Sequence, residues 1–234
     1  MVLAKYWLSY FNLELIEQSS LHNSVLSSVI FVLGFLLSAT IADYKESERI
    51  PSDFTANIVD LYDDAVAIHG QYPVFDVKAY RKQLYKIAHS FGDDARVRTH
   101  DARRDIRALN QYFAAMEVGK VPPNFIVKLK QQQTILLRHR QRMNYIQRIR
   151  FIPSATILAR SIVIMAVALL LATSVDPFYG GLAISGVLTF ILVYILLLLH
   201  VIGTPFHAEG KTRDDVSLFL IKDAANYLKN ARDT

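Results

Sequence analysis

The sequence predicts an all-α membrane protein, and three observations lead to this fold class. Hydrophobic residues make up 52% of the 234 residues and charged residues 20%, and the two populations are segregated along the chain. Three stretches are nearly free of charge, and each exceeds the roughly 20 residues that a helix needs to cross a bilayer. In the charged remainder, apolar residues recur at steps of three and four, as in Ile58, Leu61, Tyr62 and Ala65, which is typical of amphipathic helices.

The uncharged stretches predict three transmembrane helices, near residues 24–42, 155–173 and 180–203. The first and third contain no Asp, Glu, Lys or Arg, and the second contains only Arg160. Because an ionisable residue inside a span is costly, we expect Arg160 to pair with a neighbouring helix, to face water or to snorkel toward the inner interface.

The N-terminal segment, residues 1–23, is too short and too polar to be a further span. It carries Tyr6, Trp7, Tyr10 and Phe11, which is typical of a helix lying at the membrane surface. The alternative interpretation is the truncated remnant of another spanning helix.

Charge distribution predicts the orientation. Most of the 26 Lys and Arg residues lie between residues 44 and 152, whereas residues 174–179 contain none, so the positive-inside rule places the former in the cytoplasm and the latter outside. The predicted organisation is an interfacial segment 1–23, a span 24–42, a cytosolic helical region 43–152, a transmembrane hairpin 153–203 and a cytosolic segment 204–234, all in one domain.

The cytosolic region is predicted to be helical throughout, with no competing strand pattern. Pro51-Ser52-Asp53 has the residue types that begin a helix, and a second helix is expected from about Asp76, after a break at 70–73. A third is expected over 93–117. The sequence "VGKVPPN" at 118–124 should end it, and a fourth should run from Phe125 toward Pro153.

Basic residues dominate the stretch 118–175, which has nine of them and no acid. One interpretation is a belt that touches anionic lipid headgroups. The other is a positive lining that concentrates anions at a pore mouth. The candidate residues for such a vestibule are Lys128, Lys130, Arg138, Arg140 and Arg142.

Several kinds of chemistry are not supported by the sequence. There is no cysteine, which removes disulfides, thiolate catalysis and Cys-type zinc sites. Gly210-Lys211-Thr212 lacks the upstream glycine of a phosphate-binding loop, because Pro205 stands there. The histidines do not have metal-ligand spacing, and the basic residues lead into a span without a nucleic-acid recognition motif. We therefore expect that the protein is not an enzyme and that it has no cofactor, no metal site and no nucleic-acid partner.

The first span carries a distinct stripe beside an aliphatic face. Small and aromatic residues recur at helical spacing, namely Ser24, Ser27, Ser28, Phe31, Gly34, Phe35, Ser38 and Ala42. A stripe of small residues alone favours close helix packing. The two phenylalanines are harder to explain by close approach of backbones, and a ring of them from several subunits would form an apolar constriction that gates by dewetting.

Three segments resemble the bestrophin family, in the order that the family has them. "IFVLGFLLSATIADYKESERIPSDF" (30–54) resembles its pore-lining helix and the segment that follows. "QRIRFIPS" (147–154) resembles the motif before the penultimate span, and "IGTPFHAEGKTRDDVSLFLIKD" (202–223) resembles the segment after the last span. The resemblance covers about residues 24 to 228, and it implies a pentameric helical channel that passes chloride and other anions.

The resemblance also implies roles for particular residues. Ser27, Phe31 and Phe35 would form the neck of the pore, with serine where family members often carry an aliphatic residue. Phe125 or Ile126 would lie at a second, cytosolic constriction. Calcium-activated members have a dense acidic cluster after Pro-Phe, whereas this chain has only Glu209, Asp214 and Asp215, interrupted by two basic residues, so no calcium clasp is expected.

The sequence thus leads to the hypothesis of an oligomeric anion channel with an aromatic neck formed by the first transmembrane helix. Its expected partners are further copies of itself in a pentamer, membrane lipid and permeating anions such as chloride. Its expected place is the plasma membrane or an organellar membrane, as a multi-pass protein. The alternative is a non-conducting scaffold or sensor that binds a cytosolic partner.

Overall fold

The computed structural model describes residues 2–11, 16–97, 102–148, 153–206 and 215–231. In this part of the chain the helices are α1 Val2–Tyr10, α2 Ser20–Gln71, α3 Val77–Val97, α4 Ala102–Arg107, α5 Asn110–Val118, α6 Pro123–Arg148, α7 Pro153–Ala172, α8 Phe178–Ile202 and α9 Phe219–Asn230. The described residues form two compact units. The first contains those up to Tyr44 and those from 153 to Thr204, and the second contains the remainder.

Among the described residues, three helices are long and apolar enough to cross a membrane, as the sequence predicts. They are α2, the part of α7 from Ala155 to Ala172, and α8. In the first unit, Leu33 of α2 is fully buried against α7 and α8. The α7 residues of this cluster, Ala159, Val163, Ala166 and Leu170, lie three or four positions apart and therefore on one face of the helix.

The N-terminal helix α1 has nine residues and a length of about 14 Å, which is too short to span. Its Trp7 and Tyr10 are exposed, while Lys5 is buried and donates hydrogen bonds to the carbonyl oxygens of Leu170 and Thr173. The last carbonyls of a helix lack partners within it and attract a cation. Lys5 therefore holds α1 at the C-terminal end of α7.

Two short strands pair at the C-terminal end of α7, although the sequence predicts helices alone. β1 (Ile16–Glu17) pairs in parallel with β2 (Thr173–Ser174). The buried His22 ring lies beside them, with Nδ1 3.1 Å from the Thr173 hydroxyl. With only two residues a strand, the pairing has no periodicity that a sequence could display.

The prediction that a helix begins at Pro51 is wrong, because α2 is one helix of 52 residues with Pro51 inside it. A proline in a helix interior removes one backbone hydrogen bond and costs about 3 kcal/mol. Burial on one face offsets that cost, since Ser47, Ile50, Phe54 and Ile58 recur at steps of three and four and are all buried in the second unit.

The second unit packs α3 and α6 around the C-terminal half of α2, with α9 against α3. Phe54 of α2 stacks on Phe91 of α3, with ring centroids 3.7 Å apart and both side chains fully buried. As predicted, α3 begins just after Asp76, whose carboxylate accepts hydrogen bonds from the backbone N–H groups of Lys78 and Ala79.

The predicted single helix over 93–117 is wrong. α3 continues through residue 93 to Val97, and the rest of that stretch contains α4 and α5. Between α4 and α5 the chain forms a tight turn at Leu109, whose backbone N–H donates a hydrogen bond to the Ile106 carbonyl oxygen. This turn points Ile106, Leu109 and Phe113 into the core, where all three are fully buried.

The predicted stop at 118–124 is confirmed, since α5 ends at Val118 and α6 begins at Pro123. Gly119 is required there by a close approach. A Cβ at this position would lie 2.4 Å from Cβ of Val74, closer than any side-chain carbon can approach.

We expect Phe91→Ala to lower the free energy of unfolding by about 3–5 kcal/mol, because it removes a fully buried ring and leaves a cavity against Phe54. Denaturant-induced unfolding in detergent, followed by circular dichroism, measures this change. Phe219 is the matched control, since it lies in the same unit and is 56% exposed. Phe219→Ala should change stability by less than about 0.5 kcal/mol, and equal losses in both variants would contradict the assignment of the core.

Candidate functional site

One face of α2 is open to the outside of the protomer over the first apolar span. Phe31 is 76% exposed and Phe35 is 69% exposed. A Cβ placed on Gly34 would meet nothing within 4 Å. We call this face the open stripe, and its members, all of them exposed, are Ser24, Ser27, Ser28, Phe31, Gly34, Phe35, Ser38 and Ala42.

The packing of the opposite face fixes the direction of the open stripe. Leu33 is buried against α7 and α8, and it lies two positions from both Phe31 and Phe35. Two positions are a rotation of about 200° around a helix. With Leu33 held inward, both phenylalanine rings must therefore point away from α7 and α8.

The serines of the open stripe differ in how their hydroxyl groups are satisfied. Ser24 and Ser28 donate to the carbonyl oxygens one turn earlier, at 2.9 and 2.8 Å. Such a bond lets a serine lie on an apolar face without an unsatisfied donor. Within the described part of the chain, Ser27 has no hydrogen-bond partner for its hydroxyl. Ser38 likewise has no described partner, so Ser27 and Ser38 are the serines of the open stripe whose hydroxyl groups need water or another chain.

The two candidates for a cytosolic constriction occupy different environments. Ile126 is 5% exposed and belongs to the core of the second unit, whereas Phe125 is half-buried at the edge of that core. A buried side chain cannot line an open passage, so only Phe125 keeps the geometry that this role requires.

Four of the five candidate vestibule residues form ion pairs inside the second unit. The pairs are Lys128 with Asp64 at 2.7 Å, Lys130 with Glu117 at 2.7 Å, Arg140 with Asp94 at 3.2 Å and Arg142 with Glu46 at 2.6 Å. Every acidic partner precedes residue 118. These four basic residues are thus paired with acids from earlier in the chain, which the order of charges along the chain does not reveal.

Arg142 and Arg140 are held differently. Arg142 makes a two-pronged contact with Glu46, with Nε and Nη2 donating to separate carboxylate oxygens at 2.8 and 2.6 Å, in an exposed position. Arg140 and Asp94 are both largely buried, with 12% and 4% of their side chains exposed. A buried carboxylate is stable only with a charged or hydrogen-bonding partner, so Arg140 contributes to the core.

Arg138 remains exposed, and none of the described residues forms an ion pair with it. The neighbouring His139 adds no charge at neutral pH, because burial lowers its pKa and the nearby Asp53 offsets this only in part. Of the five candidates, Arg138 therefore carries the uncompensated positive charge.

The two other family-like segments lie partly outside the described residues. Residues 149–152 and 207–214 are among those not described, and they include Glu209 and Asp214 of the acidic segment. Within the described residues, no group of three His, Cys, Asp or Glu side chains could hold a metal ion.

The architecture matches that of solved structures over nearly its whole length. Two variant forms of a bacterial bestrophin homologue from Klebsiella pneumoniae superpose with TM-scores of 0.84 and 0.83, at 14% and 13% sequence identity, covering 98% of this chain and 95% of theirs. The chain has a bestrophin-like fold. A third variant of that homologue gives a TM-score of 0.82 at 14% identity, over 97% of this chain and 94% of its own.

No protein-family model and no curated protein sequence matches the chain. The predicted fold class, an all-α membrane protein with a bestrophin-like arrangement of helices, is confirmed by the structural likeness together with the three apolar helices. At this level of identity the likeness concerns the fold alone.

We expect Arg140→Met to lower the free energy of unfolding by about 3 kcal/mol, because the buried Asp94 carboxylate loses this guanidinium. Combining Arg140→Met with Asp94→Leu should recover most of the loss, as removing both charges avoids an uncompensated one. Denaturation in detergent measures all three changes.

Arg138→Met is the matched control, with the same side-chain change two positions away on the exposed side of α6. It should change stability by less than about 0.5 kcal/mol. If Arg138→Met destabilised the protein as much as Arg140→Met, the assignment of Arg140 to the core would be wrong.

Proposed function

We propose that this chain assembles into a homopentameric ion channel that passes anions such as chloride, with the open stripe of α2 facing the pore. The observation that carries the proposal is the outward projection of Phe31 and Phe35 beside an unsatisfied Ser27 hydroxyl. A purely lipid-facing surface would not favour that hydroxyl, since hydrocarbon offers no hydrogen bond. A symmetric assembly around a water-containing axis accommodates both the rings and the hydroxyl.

In the proposed assembly, Phe31 and Phe35 form two apolar rings one turn apart, about 6 Å along the helix. A constriction of this kind can gate by losing its water. The edge of an aromatic ring is electropositive, so rings that present their edges would offer weak stabilisation to an anion that has shed part of its hydration shell. Ser27, one turn earlier, would supply a hydrogen-bond donor to the same ion.

Attraction of anions to the cytosolic mouth would depend chiefly on Arg138 among the five vestibule candidates. Lys128, Lys130, Arg140 and Arg142 have carboxylate partners, and a paired charge contributes little to the field beyond a Debye length, about 8 Å at physiological salt. Anion selectivity in this proposal therefore rests more on the neck than on a basic belt. Phe125 is the side chain proposed for a second constriction.

The proposed activity is passive conduction rather than catalysis, with no cofactor. It places the chain in the plasma membrane or an organellar membrane as a multi-pass protein. Residues 45–148 would face the cytoplasm, as the positive-inside rule predicts. The alternative, a non-conducting scaffold, differs in one measurable respect, since it would pass no current.

The experiment that tests the proposal is recording from purified protein in a planar bilayer with a gradient of potassium chloride. We expect current whose reversal potential lies near the chloride equilibrium potential. A reversal near the potassium potential would reject anion selectivity, and the absence of current from correctly folded protein would favour the scaffold.

Replacing Phe31 and Phe35 by alanine should raise the conductance or the open probability severalfold, because the apolar constriction becomes wider and easier to wet. Phe190 of α8 is the matched control, being 70% exposed on another apolar helix. Phe190→Ala should leave the current unchanged. Equal effects of the α2 and α8 substitutions would contradict a neck on the open stripe.

A single cysteine at position 27 should make the current sensitive to thiol reagents, and the natural chain, which has no cysteine, provides a clean background. In Ser27→Cys, a methanethiosulfonate reagent or Cd²⁺ added to the bath should block the current. Val25→Cys is the control, because Val25 is exposed on a different face of α2. Block of the current in Val25→Cys but not in Ser27→Cys would contradict the proposal, because a different face of α2 would then line the pore.

A further inference from the structure

A cavity opens in the first unit at the end where α7 begins and α8 ends. Its volume is about 260 Å³, and its walls include Leu36 of α2, Ala159 and Arg160 of α7, and Leu196, Leu199 and His200 of α8. The cavity exists because Ala155 and Ala159, one turn apart on α7, present only methyl groups to the leucines of α8. All of its lining residues belong to the first unit, and none is a member of the open stripe.

The wall of this cavity carries a charge that the described residues do not compensate. Arg160 is exposed on α7, and no described residue forms a hydrogen bond or an ion pair with it. An arginine within a membrane span is expensive unless it meets a partner or water. His200 lines the same cavity, and its ring can donate a hydrogen bond in either protonation state.

The hydroxyl groups that line the cavity form no described hydrogen bond with Arg160. Thr204 also lines the cavity, just beyond the end of α8, and its hydroxyl donates to the carbonyl oxygens of His200 and Val201 at 3.2 and 3.4 Å. Thr156 and Thr204 add only neutral hydroxyl groups, so the charge that the site presents is the Arg160 guanidinium, beside a donor from the His200 ring and mostly apolar walls. The complementary ligand is an anion joined to a hydrocarbon chain.

We propose that this cavity binds an anionic phospholipid, with the headgroup phosphate on Arg160 and His200 and an acyl chain along Leu36, Leu196 and Leu199. Basic pockets between transmembrane helices on the cytoplasmic side are suited to such headgroups, and the proposed orientation puts this end of the bundle at the cytoplasmic leaflet. A guanidinium matches phosphate oxygens in a two-pronged geometry. The site does not depend on conduction, so it would hold for a channel and for a scaffold alike.

The experiment is native mass spectrometry of the full-length protein in detergent, titrated with phosphatidylglycerol or with phosphatidylcholine of the same acyl chains. We expect tighter binding of phosphatidylglycerol. Arg160→Ala should weaken its binding about tenfold, and Arg160→Lys should retain most of it because the charge remains. Arg107→Ala, an exposed arginine of the second unit, is the matched control and should bind as the unaltered protein does.

A second variant tests the acyl-chain part of the site while keeping the charge. Ala155→Leu fills the recess on α7, and it should weaken phosphatidylglycerol binding with Arg160 in place. If Arg160→Ala does not yield folded protein, Ala155→Leu still tests whether the lipid binds in this cavity. Sodium phosphate and glycerol 3-phosphate at millimolar concentration should not displace the lipid.

Three outcomes would overturn the proposal. Equal binding of the two lipids would show that the site does not recognise the headgroup. Unchanged binding in Arg160→Ala and Ala155→Leu would show that the lipid does not bind in this cavity. Displacement by sodium phosphate would assign the cavity to a small soluble anion. Recording of current from the same variants separates this result from the proposed function, because loss of lipid binding with intact anion current would concern the cavity alone.

Discussion

The burial of Leu33 between α7 and α8 is the contact on which the candidate site depends. A helix that packs on one side only has one rotational setting, and Leu33 fixes it for α2. Phe31 and Phe35, about 200° away, are thereby turned to the outside without any contact of their own. The neck proposed for the pore is thus a consequence of packing on the opposite face. A change at Leu33 would disturb both packing and the direction of the rings.

Charge pairing is the second constraint, and it acts in the second unit. Carboxylates of α2, α3 and α5 meet the basic side chains of α6, as with Glu46 and Arg142 or Glu117 and Lys130. Exposed pairs of this kind contribute about 0–1 kcal/mol each to stability, so their main effect is on the field around the helix. They leave Arg138 as the strong local positive charge among the vestibule candidates. In the proposed channel, selectivity would therefore depend more on the neck than on a broad positive belt.

The two ends of the first unit are stabilised by different chemistry. At one end, Lys5 donates to the carbonyl oxygens of Leu170 in α7 and Thr173 in β2, and the β1–β2 pair joins the N-terminal segment to the α7–α8 connection. At the other end, Arg160 lies in an apolar cavity without a described partner. The buried Lys5 is thus used by the fold, while the exposed Arg160 is available to a ligand from the membrane.

The sequence by itself determined the features that depend on local composition and period. Uncharged stretches identified the three apolar helices, the three- and four-residue spacing put Ser27, Phe31 and Phe35 on one face, and Asp76 marked the start of α3. Tertiary contacts decided the rest. The continuation of α2 through Pro51 depends on buried neighbours such as Phe91, and the burial of Ile126 depends on the core around it. The neutralisation of Arg140 depends on Asp94, 46 positions earlier, because charges distant in sequence become partners only when helices pack.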